Sequence, residues 1–326
     1  MISSSGTQTL HRPVGSARAR QFKEKAIAVA VTAVGLSGIA ALLLIVIFVG
    51  KEALPIFFGD EAETSFSKLF LPQVLRAGKP ASFMWQPVGE VPKLSMIPLL
   101  LGTLKVTLVA MLVAVPVAVA AALFTAEFAP RRLREVLKPV IELLAGIPSV
   151  VLGFFALMTL ASWTQSTFGL TSRLNALVAG LAMAIAIIPV VFTVAEDTLT
   201  AVPQSYREAS LALGATRWET AWRVVLPAAA PGVLAACVLG FGRAIGETMI
   251  VLMASGNAAI MSVSVTDSTR TMSATIAAEM GEVVFGGTHW SVLFFIGVQL
   301  FAITFVLNLI AGVFVKRVVR RTSGAR

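Results

Sequence analysis

Residues 207–232 read REASLALGATRWETAWRVVLPAAAPG, a polar, patterned module between stretches of almost continuous hydrocarbon. The spacing predicts two short helices around a hinge. Gly214 suits the hinge because it tolerates left-handed backbone geometry and terminates helices. Thr216 and Glu219 then fit the T-x-x-E capping box that starts a second helix. On that helix Trp218, Ala221, Trp222 and Val225 form an apolar stripe at helical spacing. Pro227 is expected to end it and to admit the next apolar run. A chain that interrupts its apolar segments with such a module is presenting it to something.

The surroundings of the module fix the class of the chain. Of 326 residues, 57% are hydrophobic and 13% charged, against about 25% charged in a soluble domain. That level cannot coat a water-facing surface, so the expected fold is an all-α integral membrane protein. Six segments reach the roughly 20 residues that a bilayer crossing requires. They are Ala26–Val49, Ile97–Ala126, Leu143–Trp163, Ala176–Ala195, Ala228–Gly256 and Trp290–Val315. The first is too long for the core of a signal peptide and reads as a retained helix.

Lysine and arginine placement sets the expected orientation. With the N-terminus inside, 17 of the 26 basic residues fall on inner segments and 7 on outer ones, while Lys105 and Arg243 lie within helices. Both termini are therefore expected in the cytoplasm, with the module. The net charge of +9 is a topology signal, which argues against nucleic-acid binding. The expected organisation is a disordered tail at 1–25, a first membrane helix at 26–49, and an extracytoplasmic segment at 50–96. A core with five membrane helices at 97–315 includes the polar loop at 200–227, and a basic tail follows at 316–326. A short helix or re-entrant piece is expected within 263–288. The single cysteine, Cys237, lies in an apolar run and reads as a small buried hydrophobe.

Ionisable groups at membrane depth are costly and are functional candidates by default. Arg243 lies 12 residues after Pro231, roughly 18 Å along a helix. Glu247 follows at i+4, where the two can pair on one face. Glycines at 240, 242 and 246 allow another helix or a substrate to approach. The arginine fork matches phosphate oxygens, and a carboxylate can accept a hydrogen bond from a protonated one. The pair reads as a substrate path or gate, or as a self-neutralising brace. Glu142 is either a helix-end carboxylate or part of an inner gate. Lys105 is expected to snorkel rather than to line a pore. Pro116, Pro148 and Pro189 are expected to mark kinks. His11 and His289 are isolated, and no metal site or catalytic constellation is expected.

The stretch EASLALGATRWETAWRVVLP resembles the EAA motif of permeases from ATP-binding-cassette (ABC) importers. Glu208, Ala209, Ser210, Gly214, Leu226 and Pro227 occupy its key positions, with Ser210 in place of the commoner alanine. ELLAGIPSVVLGFFAL (142–157), GRAIGETMIVLMASGN (242–257), TMSATIAAEMGE (271–282) and FAITFVLNLIA (301–311) are similar to the phosphate-importer branch, from about residue 90 onward. The GETMIV run favours the partner of the sister permease PstA over PstA itself. The resemblance implies an ABC importer permease fold and a phosphate importer with a loop that couples to an ATPase. That loop's contact residues would be Glu208, Ala209, Ser210, Gly214, Trp218, Trp222, Leu226 and Pro227. It implies PstA as membrane partner, separate ATPase subunits (PstB) that hold ATP and magnesium, and an extracytoplasmic phosphate-binding protein (PstS). No P-loop is found in this chain. An ABC permease for molybdate, sulfate or phosphonate stays open, as does an ion-coupled secondary transporter.

Overall fold

Without water, an apolar segment must satisfy its backbone hydrogen bonds internally, and a helix does so. Six helices are long and apolar enough to cross a membrane in the computed structural model, which describes residues 14–58, 66–74, 81–89 and 92–322. The chain divides into two units, Met1–Lys51 and Glu52–Arg326. The first is represented by helix α1 (Val14–Ala53), which runs two residues into the second. The expected disordered tail lies outside the described residues as far as residue 13. From Val14 the chain is already helical, a correction to the expected boundary at 25.

In the second unit a helical turn, α2 (Pro55–Phe58), and a 3-10 turn at Phe66–Leu69 precede a small antiparallel hairpin. Its strands are β1 (Trp85–Gln86) and β2 (Lys93–Leu94), with Trp85 opposite Leu94. Helices α3 (Ile97–Glu127), α4 (Arg131–Ala145), α5 (Ser149–Phe155) and α6 (Ala161–Phe168) follow. The last two are joined by a π-turn at Ala156–Leu160. Next come α7 (Ala176–Thr200), α8 (Gln204–Ala212), α9 (Arg217–Thr220) and α10 (Leu226–Gly246). A second π-turn, Ala221–Val225, joins α9 to α10. The last described elements are α11 (Met249–Ala254), α12 (Met272–Glu279) and α13 (Thr288–Thr322).

Two predicted spans are corrected. The third begins at Ser149 rather than Leu143, because the residue before a proline is pushed out of helical geometry. The chain thus turns at Gly146–Ile147–Pro148, with Pro148 at φ −58°, ψ 136°. The fifth runs Arg217–Gly246 rather than Ala228–Gly256. It passes through Pro227 without ending, since the π-turn just before it loosens the ladder that proline would otherwise disrupt. Pro116 and Pro189 lie inside α3 and α7, which continue through them.

The core is a seam between α3 and α7, the most extensively packed pair of elements. On α3, Val106, Ala110, Ala114, Ala118 and Ala122 recur every four residues and are buried. Ala179, Ala182, Ala186 and Ile187 of α7 belong to the same cluster. Small residues let helix backbones approach closely in a membrane. A Cβ added at Gly180 would lie 2.5 Å from the Val109 side chain and 3.1 Å from the Val106 carbonyl oxygen. A second cluster, with Leu69, Trp85, Leu94, Met96, Met272 and Leu293, closes the hairpin end.

Candidate functional site

The module stands at the opposite end from the hairpin, between α7 and α10. Pro203 stands at the N-cap of α8 in extended geometry, at φ −58° and ψ 139°. Glu208, Ala209, Leu211 and Leu213 of this segment face outward, and Arg207 and Ser210 face inward. Gly214 adopts φ +86°, and its amide donates to the Leu211 carbonyl at 3.0 Å. The expected capping box is formed. Thr216 Oγ1 accepts from the Glu219 amide at 3.2 Å, and Glu219 Oε2 accepts from the Thr216 amide at 2.9 Å. Trp218 and Trp222 stack at 6.2 Å and 11°, more than half exposed. Phe128 lies 5.9 Å from Trp218. The expected stripe therefore splits: Trp218 and Trp222 form an exposed aromatic surface on this chain, while Ala221 and Val225 are buried in the core.

The inward side of the module is fastened by charges that the sequence reading missed. Arg207 Nη2 donates to Glu127 Oε1 at 2.7 Å and to the Leu199 carbonyl at 2.9 Å. Its Nε donates to the same carboxylate at 3.1 and 3.2 Å, and Nη1 to the Val202 carbonyl. The side chains of Arg207 and Glu127 are only 14% and 10% exposed. Ser210 and Thr220 hydroxyls share a hydrogen bond of 2.9 Å, tying α8 to α9. Beside them, Lys138 of α4 donates to Glu196 at 2.8 Å and to Asp197 at 2.6 Å. The hydrogen bond to Asp197, with that to Glu196, raises the Lys138 pKa. The only sequence signal was the position of Glu127 and Glu196 at the ends of apolar runs.

The expected Arg243–Glu247 pair is not formed. Helix α10 stops at Gly246, and Glu247 is extended at φ −68°, ψ 131°, so the i+4 geometry is lost. Glu247 Oε1 instead accepts from the Thr248 amide at 3.1 Å and the Ile250 amide at 3.5 Å, capping α11. The Ser273 hydroxyl donates to the Glu247 carbonyl at 2.6 Å, fixing the break against α12. Glu247 also lines a small cavity with Thr103, Thr107, Thr271 and Ser273. Arg243 is exposed and makes no ion pair or hydrogen bond among the described residues, and the same holds for Glu142 on α4. The structure does not bring these three side chains together. A larger cavity, about 710 Å³, lies between α3, α10 and α13. Its lining, with Leu100, Leu104, Phe241 and Val306, is uncharged and unsuited to an anion.

Lys105 corrects another expectation. It does not snorkel: it is buried, and its Nζ donates to the Ser264 carbonyl at 2.9 Å. The loop between α11 and α12 folds back over it. Toward the hairpin, Glu279 of α12 gathers the Trp85 indole at 3.0 Å, His289 at 2.8 Å and the Arg270 guanidinium. Burial raises the Glu279 pKa, but the hydrogen bonds from His289 and Trp85 and the Arg270 charge outweigh it and hold the carboxyl below its usual value. The expected short helix in 263–288 is α12, capped by the Thr271 hydroxyl.

Residues 114–324 match the family described as binding-protein-dependent transport system inner membrane component. The chain is 34% identical over 304 residues to a probable ABC transporter permease protein, YqgH, of Bacillus subtilis, covering 92% of this chain and 93% of that protein. It is 35% identical over 303 residues to the phosphate transport system permease protein PstC of Mesorhizobium japonicum, covering 87% and 89%. Among solved structures, a bacterial alginate ABC transporter in complex with a pentasaccharide-bound periplasmic protein superposes with a TM-score of 0.60. The identity is 14%, over 94% of this chain and 98% of that one, so the likeness shows the fold alone.

Proposed function

The chain belongs to the family of binding-protein-dependent transport system inner membrane components, and from that premise we propose that it is the permease subunit of an ATP-driven phosphate importer. It is a multi-pass protein of the bacterial inner membrane. The observation that carries the reading is the α8–α9 module, with its left-handed glycine, complete capping box and exposed Glu208, Trp218 and Trp222. Its form suits docking on a separate subunit.

On this reading both termini and the module lie in the cytoplasm, as the lysine and arginine bias favours. Two ATPase subunits of the PstB kind hold ATP and magnesium, and a homologous permease of the PstA kind completes the membrane path. A binding protein of the PstS kind delivers phosphate at the hairpin end. The permease performs no covalent chemistry. It alternates between two conformations, and the ATPase and the loaded binding protein shift their populations by binding them unequally.

Arg243, Glu247 and Glu142 are assigned to the substrate path. The break at Gly246–Thr248 supports this for the first two, because non-helical backbone at membrane depth is tolerated where it is enclosed in protein or lines a cavity. An unpartnered arginine one turn before the break can offer its fork to an oxyanion. The test is uptake of labelled phosphate by the reconstituted importer with molybdate, sulfate and phosphonate as competitors. Displacement by phosphate alone supports the reading, and preferential import of another oxyanion overturns its substrate.

A further inference from the structure

We propose that the largely buried Arg207–Glu127 pair is the joint that carries movement of the α8–α9 module to α3 and α7, which makes both residues positioning residues for ATP-driven transport. The inference rests on the reading of the module as the ATPase contact. Arg207 directly precedes Glu208, but the arginine is partly buried against the membrane helices while the glutamate is exposed. A push on the outer face of α8 therefore acts on a helix whose inner face is held by Arg207.

The guanidinium reaches two membrane helices at once. It holds the carboxylate of Glu127, the last residue of α3, the carbonyl group of Leu199 at the end of α7 and that of Val202 in the turn just after it. Four of its five N–H groups are engaged. A planar fork bound on several sides fixes orientation as well as distance, whereas an apolar contact would let α8 roll. Stability does not explain the charges, because a buried ion pair is often no more stabilising than well-packed apolar residues of similar volume.

Beyond the joint the route is continuous. Helices α3 and α7 share the alanine seam, so a displacement of their ends moves them together. Both pack on α10, which carries Arg243 to the break at Glu247. Thr103 and Thr107 of α3 line the cavity beside that carboxylate. The Lys138 contacts to Glu196 and Asp197 brace the same end of α7.

The test uses the whole importer in proteoliposomes and the ratio of anion imported to ATP hydrolysed, per assembled complex. The variants are Arg207→Met, Glu127→Met, the double methionine and Arg207→Lys. Each single methionine leaves one buried charge unmatched and can weaken folding, while the double removes both. The double variant is expected to assemble and hydrolyse ATP but to import at least about fivefold less anion per ATP, the lower end of ordinary coupling between sites. A wild-type ratio in the double variant reduces the pair to scaffolding and overturns the proposal. Should the double fail to assemble, Arg207→Lys decides, since it keeps the charges balanced but lacks the fork. A wild-type ratio there overturns the proposal too. The ratio is measured with whichever oxyanion the wild-type complex imports, so an error in the substrate is told apart from an error in the joint. A wild-type complex that binds no ATPase sinks both.

Discussion

Changing Gly214 to alanine isolates one physical quantity. The residue sits at φ +86°, and a Cβ there would meet nothing within 4 Å. The substitution thus creates no clash with a neighbour, and its effect is the left-handed backbone itself. An L-residue pays about 1–2 kcal/mol for that geometry, a roughly 5- to 30-fold shift against the docked shape of the module. The measurement is the dissociation constant of purified ATPase from permease complexes in nanodiscs. Gly214→Ala is expected to weaken binding roughly 5- to 30-fold. Gly214→Asn should recover most of the loss, since asparagine tolerates this region. Gly214→Pro should abolish docking, because it fixes φ near −65° and removes the amide that donates to Leu211. If alanine binds like the wild type, or asparagine no better than alanine, the bent shape of the hinge is not what the ATPase recognises.

The purified chain by itself is expected to show no ATP hydrolysis, and turnover that stays with it through stringent washing contradicts a separate ATPase. Arg243→Met should leave assembly and melting temperature unchanged, because the side chain is exposed and breaks no contact seen in the structure. Uptake per complex should fall about tenfold or more, as expected on losing a charge-assisted contact of about 1.5–3 kcal/mol. Arg243→Lys should be impaired too, and near-normal uptake by the methionine variant removes Arg243 from the path. Because the Glu279 pKa is lowered on folding, its contribution is present above the ordinary glutamate value of about 4.3 and fades as pH falls below it. Glu279→Gln should therefore melt lower than the wild type at pH 7, with the gap closing as pH falls through the lowered folded value of the carboxyl, in thermal melts of the assembled complex. A gap that is constant with pH would show that the carboxylate charge is not what matters.

Much of the fold was legible because the bilayer imposes a simple rule on sequence. Six apolar runs became six helices in the expected order. The module was legible for a different reason: a capping box and a hinge glycine act over a few residues, so Thr216, Glu219 and Gly214 declare their geometry locally. The break in the fifth span was missed because hydropathy sums apolar character and does not register a side chain that caps. Gly246-Glu247-Thr248 stood in the run as a helix stop followed by a cap. The Arg207–Glu127 joint was missed because a glutamate at the end of an apolar run does not announce its partner, here 80 residues away. Lys105 was misread because the loop that buries it lies 159 residues away. The identity of a lysine at membrane depth does not say what covers it.

The alanine seam between α3 and α7 has a thermodynamic side. Alanine has no rotamers to freeze, so closing the two helices together costs essentially no side-chain entropy. What holds the seam is dispersion between surfaces in direct contact, of which a gap of about 0.5–1 Å forfeits a quarter to a half. The interface is thus inexpensive to order, yet it has no slack: an added methyl group has no alternative rotamer into which to swing. Mutational drift at Ala110, Ala114, Ala118 or Ala122 is expected to be tolerated poorly in either direction of size. A seam without play also deforms little, so bending within the core falls to the turns at residues 146–148 and 246–248, where no continuous backbone ladder resists it.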